Sequence, residues 1–307
     1  MVSGAALRSP QSVDVLRQPL IVRGMAPLLR ITQYTDPGCP WAWSAEPFRR
    51  HLDWRYGDQL EWVTHLVVLA EDPAEYEEKG LTPEFFAKSF TKIAAEHGMP
   101  IDTTIRPRHS ATLPACRAVV AARVHGAPGD ADALLRALRI RTFAAEGLLD
   151  EEATVFAAAA AAGVDGQALG EWMDRQDVED ALRADMAVAR DPSPAALAQD
   201  ARLGAWEGGR RYTCPSYEFE SLETGQRISA PGFQTFMTYE VCAGTLAPEA
   251  EQRAKPGSVE EVLAWADEPL ATQEVAEVCG LTAREARQQL GHVAVERHLG
   301  ADGLWKL

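Results

Sequence analysis

The chain has 307 residues, enough for two or three hydrophobic cores, and its composition of 46% hydrophobic and 24% charged residues is that of a folded globular protein. Its formal net charge of −15 disfavours non-specific binding to nucleic acid or anionic membranes. No apolar run reaches the length needed to span a bilayer, so we expect neither a nucleic-acid nor a membrane partner.

The N-terminal segment lacks the ordered signals of a secretory leader, which are a basic start, an apolar stretch and a small-residue cleavage site. We predict a disordered or arm-like extension at residues 1–25, with Met25 as an alternative start. The cysteines are odd in number and widely spaced, which argues against a disulfide framework and favours a reducing compartment, the cytoplasm. They are Cys39, Cys116, Cys214, Cys242 and Cys279.

The chain opens with a β-α-β pattern. Residues 28–35 alternate apolar and polar side chains and predict a strand that ends at Asp36-Pro37-Gly38. Residues 41–56 have helical periodicity, and residues 60–69 form a nearly continuous apolar run typical of a buried strand. Such a unit makes a right-handed crossover between two parallel strands.

A long helical segment and a second strand region follow. Residues 82–201 are almost entirely helical in pattern, whereas 212–220 and 226–229 predict a hairpin and 233–246 a helix. The order predicts an α/β, thioredoxin-like fold with a large all-helical insertion. We assign residues 26–72 and 202–247 to the thioredoxin-like domain and residues 73–201 to the insertion.

Residues 258–307 predict a small C-terminal winged-helix-like unit. Helices are expected at 259–266, 272–279 and 282–295, followed by a hairpin at residues 300–303. Thr272 and Thr282 are candidate N-caps, and Thr282 forms a capping box with Glu285. The unit carries nine acidic and four basic residues. We therefore expect it to pack or to bind a partner rather than to bind DNA.

The sharpest local signal is TDPGCPWAW, residues 35–43, which places Cys39 between a strand and the start of a helix. Pro40 suits the first helical turn, where its missing N–H costs nothing. The helix dipole and free backbone N–H groups would stabilise a thiolate and lower the pKa of Cys39. The alternative is an inert buried cysteine at the strand–helix junction.

The stretch DPGCPWAW resembles the DsbA-like thioredoxin family and, within it, the FrnE-like branch, whose members typically have D-x-x-C-P-W-C-W. The resemblance covers roughly residues 25–247 and implies a helical domain between two halves of a thioredoxin fold, with thiol–disulfide oxidoreductase activity. The sequence departs from the family where the second cysteine is Ala42. Ala42 cannot resolve a mixed disulfide, so a dithiol cycle within this motif is not expected.

In this fold a cis-proline before the third strand lies against the active-site cysteine, and the resemblance places Pro215 there. The preceding residue, Cys214, would then lie beside Cys39. We interpret Cys39 and Cys214 as the catalytic pair, with Cys214 as the resolving thiol; the alternative is that Cys214 fills a small polar niche. Pro215 and Thr213 are expected to contact a substrate strand.

Further candidate contacts surround this motif. Of the two tryptophans in the motif, we expect Trp41 to contact substrate and Trp43 to pack in the core. Pro40 is a further candidate substrate-binding residue. Arg106, Arg108 and His109 lead into the insertion, which overhangs the site in family members. They could bind the carboxylates of a small thiol, or form a solvated loop.

The remaining candidates are assigned structural roles. His65 is expected to be a core histidine, and the other three cysteines are expected to be buried small hydrophobes. No Cys/His set has zinc spacing, so no metal is predicted.

Three functional hypotheses remain. The first is a thiol–disulfide oxidoreductase with Cys39 as nucleophile and Cys214 or a small thiol as resolving partner. It needs no tightly bound cofactor and would use glutathione or mycothiol as a co-substrate, with a protein or small-molecule thiol or disulfide as substrate. The second is a thiol-dependent isomerase or transferase like 2-hydroxychromene-2-carboxylate isomerases and kappa-class glutathione transferases, which usually have serine at the reactive position. The third is a non-catalytic adaptor, which Ala42 and the acidic C-terminal unit would fit. A homodimer is compatible with all three.

Overall fold

The computed structural model describes Met1 and residues 26–307. Apart from Met1, the predicted N-terminal extension, including the alternative start at Met25, lies outside the described residues. No helix in the described part of the chain is both long enough and apolar enough to cross a membrane.

The first β-α-β unit contains β1 (Leu29–Thr35), α1 (Pro40–Ser44), α2 (Glu46–Tyr56) and β2 (Leu60–Leu66). The helical segment contains α3 (Ala74–Glu78), α4 (Pro83–His97), α5 (Leu113–His125), α6 (Asp130–Phe143), α7 (Glu152–Ala162), α8 (Gly166–Met173), α9 (Gln176–Ala189) and α10 (Pro194–Leu197). The second strand region contains β3 (Gly204–Trp206), β4 (Gly209–Arg211), β5 (Ser216–Ser221), β6 (Arg227–Ala230) and α11 (Phe236–Leu246). The C-terminal unit contains α12 (Val259–Ala266), β7 (Leu270–Ala271), α13 (Thr272–Cys279), α14 (Ala283–Val293), β8 (Val295–Leu299) and β9 (Asp302–Lys306).

The central sheet has the strand order β2-β1-β5-β6. Strands β1 and β2 are parallel, with Leu29 opposite Leu60, whereas β5 runs antiparallel to both β1 and β6. This is the pairing of a thioredoxin-like fold, as the element order predicts. Because β1 and β2 are parallel, their carboxyl ends meet at one edge of the sheet, and the chain leaves β1 there to reach α1.

The apolar residues divide into separate cores. Leu29 and Ile31, which alternate along β1, are buried under α2 and α11 together with Phe219 and Tyr239. Helices α5 to α9 bury a second core of alanine, valine and leucine side chains. The C-terminal unit has a third, into which α2 inserts Trp54. The helical segment thus has a core of its own but packs against the carboxyl end of β2 through Leu66.

Several predicted boundaries are wrong. The strand predicted at 212–220 begins only at Ser216, since Pro215 has no N–H to donate to a neighbouring strand. The helix predicted at 233–246 begins at Phe236, after Gly232 with a φ of 71°. The strand predicted at 60–69 ends at Leu66, and Val68 has a φ of 55°, which a regular strand excludes. The hairpin β3–β4 and the strand β7 were missed.

The C-terminal unit has the predicted helices and hairpin, and a three-stranded sheet of order β7-β9-β8. The capping box of Thr282 is confirmed: its Oγ1 accepts from the Glu285 N–H at 3.3 Å, and Glu285 accepts from the Thr282 N–H at 2.9 Å. Thr272 is not an N-cap, because it is the first residue of α13 and Ala271 precedes it as the N-cap. Its hydroxyl instead donates to Asp302 and accepts from the Trp305 indole, each at 2.8 Å.

A buried ionic network joins the C-terminal unit to the rest of the molecule. Arg136 of α6 donates to both carboxylate oxygens of Glu274 in α13, each at 2.9 Å, and Glu274 is fully buried. Glu46, at the start of α2, lies 3.7 Å from Arg136 and pairs closely with Arg139. Burial raises the pKa of Glu46, but Arg139 and the neighbouring guanidinium groups outweigh it and lower the pKa. The network therefore joins α2 of the first β-α-β unit, α6 of the helical segment and α13 of the C-terminal unit.

Candidate functional site

Cys39 occupies the N-cap position of α1, directly after the turn that follows β1. Pro40 lies in the first turn of this helix, as its residue type predicts. The Cys39 side chain is 5% exposed, and its Sγ lies 3.2 Å from the carbonyl oxygen of Cys214. The peptide bond between Cys214 and Pro215 is cis. The structure thus brings together two cysteines that are 175 positions apart in sequence, and both are free thiols.

The two thiols differ in acidity. A hydrogen bond from the Cys214 thiol lowers the pKa of Cys39; burial and the charge of Asp36 oppose this, and the N–H groups of Ala42 and Trp41 support it. Burial and the neighbouring Cys39 raise the pKa of Cys214 well above its ordinary value. In the structure the Cys39 thiol donates to the backbone carbonyl of Cys214 at 3.2 Å, and Cys214, with its raised pKa, is the less acidic of the two thiols. A lowered pKa increases the fraction of Cys39 that is thiolate, the reactive form of cysteine, at a given pH.

Substitution of Cys214 by alanine should raise the pKa of Cys39, because alanine has no donor for the thiolate. Cys214→Ser keeps a hydroxyl donor and should leave the pKa of Cys39 close to that of the wild type. The pKa is measured from the pH dependence of Cys39 alkylation, whose rate follows the thiolate fraction and falls as the pH drops through the pKa. Equal pKa values in the two variants would show that the Cys214 thiol does not stabilise the thiolate.

Asp36 organises the turn before Cys39. Its Oδ1 accepts from the Gly38 N–H at 2.7 Å, and its Oδ2 accepts from the Leu69 N–H at 2.9 Å and the Thr112 hydroxyl at 2.7 Å. The carboxyl group is fully buried, and burial raises its pKa although these hydrogen bonds oppose the rise. Asp36 therefore fixes the turn to the segment after β2 and to the start of α5.

Asp36→Ala should destabilise the protein by about 3 kcal/mol, because the Gly38 N–H and the buried Thr112 hydroxyl lose their acceptor, while the Leu69 N–H keeps only Thr112 Oγ1 at 3.1 Å. The folded-state pKa of Asp36 lies above the unfolded value of about 3.9, so the native state binds this proton more tightly. The stability that Asp36 contributes is therefore largest below that value and decreases as the pH rises through the folded-state pKa. Urea unfolding at pH 4 and pH 7 measures both effects.

Asp72→Ala is the matched control for this variant, since the exposed side chain of Asp72 accepts one hydrogen bond, from the Ala74 N–H in a similar turn. It should change stability by less than about 0.5 kcal/mol. Equal destabilisation by both substitutions would contradict the role given to Asp36.

The two tryptophans of the motif have different environments. Trp43 is fully buried and its indole donates to the Pro100 carbonyl at 2.9 Å, which confirms the expected core packing. Trp41 is 37% exposed and packs edge-on against His97 and Phe233. Trp41 thus offers an exposed aromatic surface next to Cys39.

The other predicted substrate-binding residues fall into two groups, the segment around the cis-proline and the segment that leads into α5. The Thr213 hydroxyl donates to the Arg202 carbonyl at 3.0 Å, and Pro215 is buried. Arg108 is exposed and pairs with Asp150 at 2.6 Å, which fits the solvated-loop alternative. His109 does not fit that alternative, since it is 8% exposed and its ring packs against those of Tyr76 and Phe86, with centroids 5.3 and 5.2 Å away. His109 lines the same cavity as Gly38.

The remaining candidates are structural. His65 is half-buried and its Nδ1 lies 2.8 Å from Asp185. Burial raises the pKa values of Cys242 and Cys279 to about 11 and that of Cys116 well above its ordinary value. Within the described residues no group of three or more histidine, cysteine, aspartate or glutamate side chains is placed to hold a metal ion.

Sequence reasoning missed two residues of the site. Asp36 was noted in the family motif but given no role, although an aspartate two positions before a glycine in a turn is a signal for a side-chain hydrogen bond to the backbone. Cys116 was placed in an apolar helix, but its Sγ also lies 3.6 Å from Asp36 Oδ2. No local pattern could have indicated that contact, because the two residues are 80 positions apart.

Comparison with known proteins supports the fold at two levels. The family model for the DSBA-like thioredoxin domain matches residues 30–193, more than half of the chain. The search of curated protein sequences found no match to this chain.

Three solved structures share the fold. A "putative protein disulfide isomerase" from Nitrosomonas europaea has a TM-score of 0.55 and 16% identity, covering 72% of this chain and 98% of its own. A probable DsbA oxidoreductase from Streptomyces coelicolor has a TM-score of 0.50 and 18% identity, with coverages of 75% and 94%. The cytosolic disulfide reductase DsbM from Pseudomonas aeruginosa has a TM-score of 0.50 and 17% identity, with coverages of 72% and 98%.

Proposed function

Because the chain belongs to the DsbA-like thioredoxin family, we propose that it is a thiol–disulfide oxidoreductase with Cys39 as its nucleophile. The main supporting observation is the contact between Cys39 and Cys214, in which the pKa of Cys39 is lowered and that of Cys214 is raised. A thiolate beside a neutral thiol can attack a disulfide and then be resolved. The relocated partner supplies the thiol that Ala42 cannot.

The proposed exchange has two steps. In the first, the Cys39 thiolate attacks one sulfur of a substrate disulfide, so that a Cys39–substrate disulfide forms, the substrate S–S bond breaks and the departing thiolate takes up a proton. In the second step one of two thiols cleaves this mixed disulfide. Either Cys214 attacks the Cys39 sulfur, which leaves a Cys39–Cys214 disulfide, and the departing substrate thiolate takes up the proton that Cys214 loses. Or the thiolate of a small thiol attacks the substrate sulfur, which regenerates the Cys39 thiolate and forms a disulfide between the small thiol and the substrate.

A small thiol such as glutathione or mycothiol is the proposed reductant. We place the reaction in the cytoplasm, where such thiols keep cysteines reduced, which fits five free cysteines without a disulfide framework. The cytosolic disulfide reductase that shares this fold is consistent with that compartment. In this direction the protein would reduce disulfides at the expense of the small thiol.

The test is to trap the mixed disulfide. Reduced wild-type protein, Cys214→Ser and Cys39→Ser are mixed with oxidised glutathione, quenched with acid and mapped by mass spectrometry. We expect the adduct to accumulate on Cys39 in Cys214→Ser, to be transient or replaced by a Cys39–Cys214 disulfide in the wild type, and to be missing in Cys39→Ser. Adducts spread equally over the cysteines of all three proteins would overturn the proposed function.

A further inference from the structure

The small sheet of the C-terminal unit has a free outer edge. In its order β7-β9-β8, strand β8 (Val295–Leu299) pairs with β9 on one side and, within the described residues, with no strand on the other. Its side chains are accessible as well, since Val295 is 76% exposed and the side chain of His298 is 77% exposed. An exposed edge of this kind can pair with a strand of another chain.

The hairpin geometry determines which backbone groups of β8 face outward. Leu299 and Asp302 are partners on either side of the two-residue turn Gly300-Ala301, whose glycine has a φ of 58°. Such a turn closes on a hydrogen-bonded pair, and hydrogen-bonded and non-hydrogen-bonded pairs then alternate along the ladder. The N–H and C=O groups of Glu296 and His298 therefore point away from β9, and no residue in the described part of the chain bonds to them.

The sequence of β8, Val-Glu-Arg-His-Leu, is complementary to itself in the antiparallel direction. A two-fold axis at Arg297 places Glu296 of one copy opposite His298 of the other, twice, so that outward-facing backbone groups meet outward-facing backbone groups. Each of these pairs also joins a carboxylate to an imidazole. The carboxylate is held in position by Arg287 of its own chain, which donates to it at 2.7 Å. Other registers of the two strands pair fewer of the outward-facing groups.

The same axis accounts for the exposure of Val295. Apart from Met1, no large apolar side chain of the described residues is more exposed. The axis places Val295 opposite Leu299 of the second copy, and this aliphatic cross-strand pair occurs twice. Arg297 lies opposite its own counterpart, but each guanidinium donates to Glu146 of its own chain, which compensates the charge.

We propose that the chain forms a homodimer in which the β8 strands of two copies pair antiparallel about a two-fold axis at Arg297. The two three-stranded sheets then join into one. The inference goes beyond the proposed function and does not depend on it, since β8 carries no residue of the thiol site. A ladder of five residues from each copy is small compared with the interfaces of stable dimers. We therefore expect a reversible dimer with a Kd on the order of 10–100 μM.

The first test is sedimentation equilibrium of the reduced full-length protein from micromolar to near-millimolar concentration. We expect the mass to rise toward that of a dimer, and Val295→Arg to abolish the rise because it adds a cation beside Arg297. His298→Glu should raise the Kd at least tenfold, since a second carboxylate then faces Glu296, whereas His298→Lys should change it by less than about threefold. Met237→Arg is the matched control, since Met237 is 71% exposed on α11, and it should dimerise like the wild type.

A disulfide trap tests the register of the two strands. Arg297→Cys places the two cysteines opposite each other in a non-hydrogen-bonded pair, where Cα atoms lie about 4.5 Å apart, within the range of a disulfide. His298→Cys, the matched control, moves the cysteine by one position, and the two Cα atoms then lie more than about 7 Å apart. Under mild oxidant we expect a covalent, reducible dimer of Arg297→Cys and little of His298→Cys.

Three results would overturn the inference: a wild-type mass that stays monomeric at every concentration, unchanged dimerisation of Val295→Arg, or equal cross-linking of the two cysteine variants. The first is also the result expected if β8 pairs only with a strand of a different protein. Circular dichroism shows whether each variant is folded. Glutathione trapping on Cys39 by a monomeric wild type would reject this inference alone, whereas a dimer without trapping would reject the proposed function alone.

Discussion

Substitution of Cys39 by serine is expected to lower the rate of disulfide reduction by about three orders of magnitude or more, as removal of a nucleophile does in other enzymes. A serine hydroxyl is not ionised at neutral pH and cannot form the mixed disulfide. The nearest remaining thiol, Cys214, has a pKa raised by burial and does not replace it. The rate is measured as glutathione-dependent reduction of a small disulfide, coupled to the oxidation of NADPH by glutathione reductase.

The matched control is Cys242→Ser, which makes the same change at another buried cysteine, on α11 and outside the Cys39–Cys214 contact. This variant should keep the wild-type rate. Thermal unfolding of Cys39→Ser separates a loss of chemistry from a loss of fold, and we expect its midpoint to stay near that of the wild type. Wild-type turnover in folded Cys39→Ser would mean that another residue performs the exchange.

The parts of the site that the sequence predicts are those with local chemical signals. Alternation along β1, the Asp-Pro-Gly turn and Pro40 at a helix start place Cys39 at a strand–helix junction without any knowledge of the fold. The contact with Cys214 needed the family resemblance, since nothing in a single sequence relates positions 39 and 214. The topology of the fold was predictable from local signals, because the helices and strands that define it have strong periodicity in the sequence.

The parts that were missed depend on contacts between distant segments. Glu274 and Arg136 follow helical patterns in which charged residues are usually solvated, yet they are buried against each other. The strands of the β3–β4 hairpin have only three residues each, too few to show a periodic pattern. His109 was assigned to a loop whose exposure could not be judged from its neighbours, because the aromatic residues that cover it come from α3 and α4.

The buried pair of Glu274 and Arg136 leads to the largest expected change in stability. Glu274→Ala should reduce the free energy of unfolding by about 3–5 kcal/mol, the cost of leaving a buried charge without its partner. Arg136 would keep Glu268 at 2.7 Å and Glu46 at 3.7 Å, but the first carboxylate is partly exposed, the second already pairs with Arg139, and neither replaces the bidentate pair. The Ala271 N–H would also lose the acceptor that Glu274 provides at 2.7 Å.

Two further variants test whether the effect arises from the unpaired charge. Glu277→Ala removes a partly exposed carboxylate from the same helix, paired with His51 at 3.1 Å, and should cost less than about 1 kcal/mol. The double variant Arg136→Met/Glu274→Leu removes both charges and should recover much of the stability that Glu274→Ala loses, because apolar side chains can replace a buried ion pair. Chemical denaturation followed by tryptophan fluorescence includes a signal from this region, since Trp54 and Trp305 lie in the core of the C-terminal unit. If the double variant were as unstable as Glu274→Ala, the loss would come from packing or from the helix cap, and the ion pair would not be what holds α13 against α6.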